Sequence, residues 1–138
     1  MDDAFTHAET HGIETESEYP YKGRNGQCAE KSTGGVKVAS FADVTVNDPE
    51  ALAEAVSKGP VSIAIDAGSP LFQLYWGGIM SLYCGTSLDH GVLLVGYGTD
   101  NGKPYWLVKN SWGAHWGEKG YFRMKRDMSK KGPGFCGL

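Results

Sequence analysis

A histidine and an asparagine stand at the two ends of a predicted β-hairpin, where their side chains suit proton transfer. His90 opens one apolar stretch, Asn110 closes the next, and residues 100–103 (Asp-Asn-Gly-Lys) between the stretches are typical of a tight turn. Because hairpin strands are antiparallel, His90 and Asn110 should emerge at the same open end. The amide oxygen could then accept one ring N–H, fix the tautomer and aim the other ring nitrogen at a nucleophile.

A tryptophan two positions after Asn110 could protect this contact. Trp112 would cover the hydrogen bond and exclude the water that competes for it. The alternative is that His90 is a satisfied core histidine and that the tryptophans only fill space. From the two polar residues alone, both interpretations stay open.

A histidine pair near the start of the chain suggests metal binding, but only weakly. His7 and His11 are four residues apart on a predicted helix and so share a face. The zinc-protease pattern needs Glu directly after the first histidine, and that position is Ala8. A solvated helix face is expected there, and no metal site.

Two further patterns also favour structural interpretations. Residues 96–98 (Gly-Tyr-Gly) begin like a dinucleotide-binding motif, but Asn101 stands at the third glycine position and a hairpin follows instead of a helix. Paired carboxylates could indicate a glycosidase, yet no spacing fixes a distance between the candidates, which are Asp66, Asp89 and Glu118. Salt bridges and solvation are the expected roles of these carboxylates.

Length and charge exclude several classes of protein. The 138 residues suit one domain, and 41% of them are hydrophobic, as in an ordinary globule. With 13 Lys+Arg against 16 Asp+Glu, the net charge of −3 disfavours nucleic-acid binding. The sequence contains no apolar run of about 18 residues, so neither a membrane span nor a membrane partner is expected.

The elements that must position these residues are mainly strands. Residues 1–11 predict a helix that ends at Gly12, and residues 13–35 predict a loop. Asp48 and Pro49 are typical of a helix start, and Gly59 and Pro60 end that helix. Alternating or β-branched stretches predict the strands 36–41, 61–65, 91–97, 105–109 and 120–125.

Long sequence blocks carry a family resemblance. LDHGVLLVGYG (88–98) and PYWLVKNSWGAHWGEKGYFRM (104–124) closely resemble the papain-like, cathepsin L-type cysteine proteases. Three shorter blocks of the same family follow the same order along the chain: residues 1–5, 18–21 and 59–67. The resemblance implies an α+β class and a papain-like fold. Residues 1–35 would be a remnant of the helical left domain, and 36–138 the β-barrel-like right domain.

The same resemblance implies roles for individual residues. His90 would be the catalytic histidine and Asn110 the residue that orients it, while Trp112 would shield the pair and border the site for the residue after the scissile bond. Four positions match the lining of the main specificity pocket: Met1, Ala64, Leu88 and Gly91. An apolar pocket implies preference for a bulky hydrophobic side chain next to the cleaved residue.

The cysteines fit the family only in part. Cys84 and Cys136 match a disulfide, and Cys28 matches a cysteine whose partner lies earlier in the family's chain. A disulfide implies an oxidising compartment, and the family suggests a lysosomal or extracellular location. None of the three lies in the family's nucleophile motif, which places its histidine about 130–150 residues downstream. The nucleophile is therefore expected about 40–60 residues before Met1.

The expected function is that of a cysteine-type endopeptidase, here a fragment or one chain without its nucleophile and inactive alone. No cofactor is expected. Three kinds of partner are expected: protein or peptide substrates, the N-terminal part of the enzyme through Cys28, and cystatin-like or propeptide-like inhibitors. Two alternatives stay open. One is a non-proteolytic, silicatein-like relative with a replaced nucleophile, and the other is a truncated module that binds proteins through its exposed half-cleft.

Overall fold

A computed structural model describes residues 1–28, 35–82, 84–129 and 132–138. Its helices are α1 (Asp2–Thr10), α2 (Pro49–Lys58), α3 (Pro70–Gln73) and a 3-10 turn, η1 (Phe135–Gly137). Its strands are β1 (Val61–Ile65), β2 (Ile79–Met80), β3 (His90–Asp100), β4 (Lys103–Lys109) and β5 (Tyr121–Lys125). The chain divides into two compact units, Met1–Asp43 and Val44–Leu138. No helix within the described residues is long and apolar enough to cross a membrane.

The first unit is built around α1. The helix ends where predicted, because Gly12 takes a positive φ of 85° that stops the helical path. The predicted strand 36–41 is wrong. Val36 forms a single bridge with Ile13, and Phe41 stacks on Phe5 of α1 at 5.4 Å between ring centroids. The segment packs against the helix instead, because none of the described residues forms a strand beside it that could continue a ladder.

The boundary between the two units falls after Asp43, so residues 36–43 group with the first unit. The family resemblance places the boundary after residue 35, and residues 29–34 just before it lie outside the described part of the chain. The assignment of 1–35 and 36–138 to the two domains of the papain fold stays a prediction.

The second unit opens with the predicted helix. Asp48 caps α2 by accepting hydrogen bonds from the backbone N–H groups of Glu50 and Ala51, each at 3.1 Å. Pro49 occupies the first helical position, where a missing N–H costs nothing. Leu52 and Val56, four residues apart, bury one face of the helix in the core.

A five-stranded mixed sheet follows, in the order β1-β3-β4-β5-β2. Only the β2–β5 pair is parallel, and β1 and β2 form the edges among the described strands. Side chains alternate as period-two strands require. The core residues that they contribute are Ile63, Ile65, Leu94, Trp106, Val108, Phe122 and Met124.

The predicted hairpin is present with a two-residue turn. Asp100 pairs with Lys103, while Asn101 and Gly102 both take positive φ values of 49° and 76°. Positive φ at both central positions matches the twist of the flanking strands. The turn starts the ladder, and a register shift between Leu94 and Gly96 then sets the pairing at the far ends of β3 and β4.

A disulfide joins Cys84 to Cys136, as the family resemblance implies. The bridge closes a loop with a sequence separation of 52, and the backbone carbonyl of Cys136 also accepts a hydrogen bond from the Asp66 N–H at 2.9 Å. The C-terminal turn is thereby fixed to the end of β1. Cys28, in the first unit, is an exposed free thiol.

We expect replacement of Cys84 and Cys136 together by alanine to lower the free energy of unfolding by about 2–4 kcal/mol, because the long loop regains its freedom in the unfolded chain. Urea titration followed by tryptophan fluorescence measures the change. Cys28→Ala is the matched control and should leave the midpoint in place. A double variant as stable as the parent would show that the bridge adds no stability.

Candidate active site

The two polar residues singled out in the sequence meet in the structure. His90 Nε2 donates to Asn110 Oδ1 at 2.9 Å. His90 begins β3 and Asn110 directly follows β4, and the last pair in the ladder is Leu93 with Lys109. The antiparallel hairpin predicted from the sequence thus brings His90 and Asn110 together.

Asn110 is held rigidly. Its backbone N–H donates to the Gly120 carbonyl at 2.9 Å, and its Oδ1 also accepts the Ser111 N–H at 2.8 Å. The residue is 7% exposed. An amide oxygen has no hydrogen to give, so the proton in this contact belongs to Nε2 of His90. The Nδ1 atom is therefore the ring nitrogen left to exchange a proton.

An aromatic cluster covers this pair. The Trp112 ring stacks on the His90 ring at 5.1 Å between centroids, with 27° between their planes. Phe72 of α3 meets Trp112 edge-on at 5.4 Å, and Trp116 meets it edge-on at 5.1 Å. Aromatic pairs prefer such edge-to-face geometry, which fixes the indole in place. A fixed indole limits the access of water to the His90–Asn110 hydrogen bond.

The segment that supports the tryptophans was missed by sequence reasoning. Trp116 Nε1 donates to the Gln73 carbonyl at the end of α3, at 2.9 Å. Ser69 caps α3 and Pro70 starts it, so a cap-and-proline signal was available for this short helix. At four residues, α3 is too short for a periodic pattern to reveal it.

The positions that match the specificity pocket lie in different parts of the structure. Ala64 of β1 faces Gly91 of β3 across the sheet, beside His90. Nothing within 4 Å would contact a side chain at Gly91, so open space lies next to the histidine. Leu88 is exposed two residues before His90. Met1 is exposed at the start of the first unit.

Two of the candidate carboxylates bind backbone amides. Asp89 Oδ1 accepts the Ala67 N–H at 2.8 Å. Asp66 accepts the N–H groups of Gly68 and Ser87, at 3.2 and 2.9 Å. The sequence predicted salt bridges and solvation, whereas these carboxylates hold the segment after β1 against the segment before β3.

Glu118, the third carboxylate, forms the expected salt bridge. Its oxygens accept from Arg123 at 2.8 to 3.2 Å and from the Gly78 N–H at 2.8 Å, while Arg123 also reaches Asp100 at 2.7 Å. Hydrogen bonds from Arg123 hold the pKa of Glu118 below its usual range, and those to Glu118 and Asp100 raise the pKa of Arg123.

Tyr75 completes this ionic network. Its hydroxyl donates to the Gly78 carbonyl at 2.6 Å and accepts the Arg123 N–H at 3.3 Å. Burial raises the pKa of Tyr75, so the hydroxyl stays protonated as a donor. The network ties the segment after α3 to β5.

The first-unit histidines stack on each other. The rings of His7 and His11 lie 4.8 Å apart between centroids, at 19°. Among the described residues, no group of three or more His, Cys, Asp or Glu side chains could hold a metal ion.

Comparison with known proteins defines the family. The model of the papain family cysteine proteases matches residues 1–138. The chain belongs to this family, and the match is to a C-terminal portion of its members. The predicted family and papain-like fold are confirmed.

Curated relatives include plant proteins. The oryzain beta chain of Oryza sativa subsp. japonica is 52% identical over 141 residues, covering 100% of this chain and 30% of that protein. The low-temperature-induced cysteine proteinase of Solanum lycopersicum is 52% identical over 129 residues, covering 92% of this chain. The chain spans only 30% and 37% of the lengths of these two relatives.

Solved structures show the same fold. The bromelain protease of Ananas comosus, in complex with the E64 inhibitor, matches with a TM-score of 0.89 and 43% identity over 98% of this chain and 63% of that chain. The ragweed pollen allergen Amb a 11, a cysteine protease in its proform, matches with a TM-score of 0.92 and 40% identity over 100% of this chain and 38% of that chain.

We expect Glu118→Gln to lower the free energy of unfolding by about 1 kcal/mol at pH 7, since Arg123 loses its charged partner. The folded pKa of Glu118 is depressed, so its stabilisation is present above the unfolded value of about 4.3 and is lost as pH falls through the folded value. Denaturation curves from pH 7 to pH 3 should therefore converge for parent and variant.

Glu54→Gln is the matched control for this experiment. Glu54 pairs with Lys58 on the exposed surface of α2, where water screens the pair. This variant should unfold like the parent at every pH. If Glu118→Gln also does so, the ionic network contributes no stability.

Proposed function

We propose that this chain supplies the histidine half of a cysteine endopeptidase site, with His90 as the proton-transfer residue and Asn110 as the residue that orients it. The observation that carries the proposal is the hydrogen bond of 2.9 Å that commits Nε2 to the buried amide. It leaves Nδ1 facing away from Asn110, free to exchange protons with a reacting group. Membership of the papain family supports a thiol as that group.

The thiol would come from a segment outside these 138 residues. Cys84 and Cys136 are joined to each other, and Cys28 lies in the first unit without the family's nucleophile motif. An imidazolium beside a cysteine lowers the thiol pKa, because the positive charge favours the thiolate. His90 would form that ion pair once the nucleophile segment is in place.

Peptide hydrolysis then needs two proton transfers through His90. The thiolate attacks the peptide carbonyl and forms a bond between sulfur and carbon. The imidazolium gives its proton to the departing amine as the carbon–nitrogen bond breaks. Neutral His90 next takes a proton from water, whose oxygen attacks the thioester and releases the acid and the thiolate. Through both transfers Asn110 keeps the ring oriented, and Trp112 limits access of bulk water.

The substrate preference would come from the small residues near His90. Ala64 and Gly91 face each other across β1 and β3 and leave open space, and Leu88 adds an exposed apolar side chain. These residues would line an apolar pocket for a bulky hydrophobic residue next to the cleaved one. An inhibitor such as the E64 of the bromelain complex would use the same surface.

We infer the remaining properties from the family and the disulfide. An oxidising environment suits the Cys84–Cys136 bridge and favours a lysosomal or extracellular location. Exposed Cys28 is suited to a disulfide with the N-terminal part of the enzyme. The proform of the ragweed homologue supports propeptide-like segments as inhibitors, with cystatin-like proteins as a second class.

We expect residues 1–138 alone to hydrolyse no peptide, because the first step lacks its sulfur. Fluorogenic peptides with a hydrophobic residue at the pocket position measure the activity, with titration of any reactive thiol. A thiol-dependent activity that titrates one site per chain would contradict the proposed source of the nucleophile.

In the longer protein that includes the nucleophile segment, we expect Asn110→Ala to lower kcat/KM by about 10- to 100-fold, and His90→Ala by 10³-fold or more. Asn110→Ala leaves His90 in place but frees its ring, so the loss should fall on kcat. His11→Ala is the control, since it removes an exposed histidine of the first unit. Unchanged cleavage by His90→Ala would refute the proposal, whereas the absence of cleavage by the parent protein would favour the non-proteolytic alternative.

A further inference from the structure

Asp66 lies directly after β1, and its carboxylate joins two separate segments of the second unit. One oxygen accepts the N–H of Gly68 at 3.2 Å, a contact within the local turn. The other oxygen accepts the N–H of Ser87 at 2.9 Å, across a sequence separation of 21 residues. Because Ser87 immediately precedes Leu88, the carboxylate fixes the backbone next to an exposed apolar side chain of the proposed pocket.

The chain leaves room for this carboxylate at Gly85. A β-carbon at position 85 would collide with the Asp66 carboxylate, so any larger residue there would have to displace it. Gly85 follows Cys84, whose disulfide with Cys136 fixes this part of the backbone. The backbone of Asp66 is held as well, since its N–H donates to the Cys136 carbonyl at 2.9 Å. The carboxylate therefore occupies a fitted place in the structure.

A second carboxylate fixes the residue on the other side of Leu88. Asp89 Oδ1 accepts the N–H of Ala67 at 2.8 Å, and the N–H of Asp89 donates to the Ile65 carbonyl at 3.1 Å. The backbone is thus tied to the end of β1 both before and after Leu88, by Asp66 and by Asp89. A residue held between two such points has few backbone conformations left to it.

The Leu88 side chain lies on the C-terminal turn. A β-carbon at Gly137 would be only 2.6 Å from Leu88 Cδ2, so the leucine covers the bare backbone of the glycine closely. The disulfide of the preceding Cys136 holds that backbone in place. Leu88 is nevertheless 54% exposed. One side of the leucine is supported by the protein, and the other side is open to a ligand.

The two carboxylates have separable effects on the proposed site. Asp89 directly precedes His90, so its contacts with the end of β1 hold the start of β3. Asp66 instead holds Ser87, on the far side of Leu88 from the histidine. Without the Asp66 carboxylate, the N–H of Ser87 loses its acceptor and Leu88 can move. The His90 backbone keeps its own support, so substrate selection should suffer before proton transfer does.

We propose that Asp66 is a positioning residue for the proposed substrate pocket, and that it holds Leu88 where the leucine contacts the bulky apolar residue next to the cleaved one. The inference rests on the proposed function and deepens it, because it names the group that maintains the substrate preference. In this role Asp66 acts through Ser87 and Leu88, and it takes no part in bond cleavage.

The test uses the longer protein with its nucleophile segment and two fluorogenic peptides that differ only at the pocket position, which holds leucine or alanine. The parent should cleave the leucine peptide with the higher kcat/KM. Asp66→Ala should lower the leucine-to-alanine ratio of kcat/KM by about 5- to 20-fold. The pH profile and the cleavage of the alanine peptide should stay as in the parent, because His90 keeps its place.

Two further variants connect this loss to Leu88. Leu88→Ala should lower the same ratio, and the double variant with Asp66→Ala should lose no more than the larger of the two single losses, because both changes remove one contact. Asp66→Asn keeps an oxygen that can accept the Ser87 N–H, so it should retain most of the preference.

Gly85→Ala tests the same contact without removing the carboxylate. Its new methyl group must displace the Asp66 side chain, so it should reproduce the loss of preference, and it decides the question if Asp66→Ala does not fold. Glu54→Ala is the matched control, because it removes an exposed carboxylate of α2 that pairs with Lys58. This control should leave the ratio unchanged.

The outcomes separate this inference from the proposed function. An unchanged ratio in Asp66→Ala, an equal loss on both peptides, or additive losses in the double variant would overturn the inference alone, provided that His90→Ala loses activity as expected. A parent that cleaves both peptides equally would overturn the proposed pocket and the inference with it. Normal cleavage by His90→Ala would overturn the proposed function as a whole.

Discussion

A single hydrogen bond, from His90 Nε2 to Asn110 Oδ1, fixes the orientation of the imidazole, and contacts elsewhere in the second unit maintain it. The bond can hold the ring in one orientation only if the amide cannot rotate and water cannot take the place of the amide oxygen. The Gly120 carbonyl and the Ser111 N–H hold Asn110, and Trp112 lies over the histidine. Since an amide oxygen only accepts, this arrangement selects one tautomer of the imidazole. The structure thereby decides which ring nitrogen can react.

The aromatic cover depends on parts of the chain far from the histidine. Phe72 of α3 and Phe122 of β5 pack edge-on at 5.0 Å, and together with Trp116 they support Trp112. The ionic network of Glu118 and Arg123 ties the segment after α3 to β5. Mutations in this scaffold would disturb the cover without touching a reacting atom.

Strong local signals allowed much of this fold to be predicted. Three local patterns predicted their elements correctly: the Asp48 cap of α2, the alternation of β1, and the turn at Asn101 and Gly102. The stretch 36–41 had a strand-like pattern, but the part of the chain that the structure describes offers it no partner strand. The short elements α3, β2 and η1 were missed, because two to four residues carry too little periodic signal.

By itself, the sequence predicted the hairpin and therefore the meeting of His90 with Asn110, since two antiparallel strands joined by a short turn bring their far ends together. It also determined the family, through long blocks of matching residues. Only the tertiary structure decided what surrounds this pair. The contacts of Trp116 with Gln73 and of Glu118 with Gly78 join residues 43 and 40 positions apart. Such long-range contacts depend on how whole elements pack against each other, and local sequence patterns do not predict that packing.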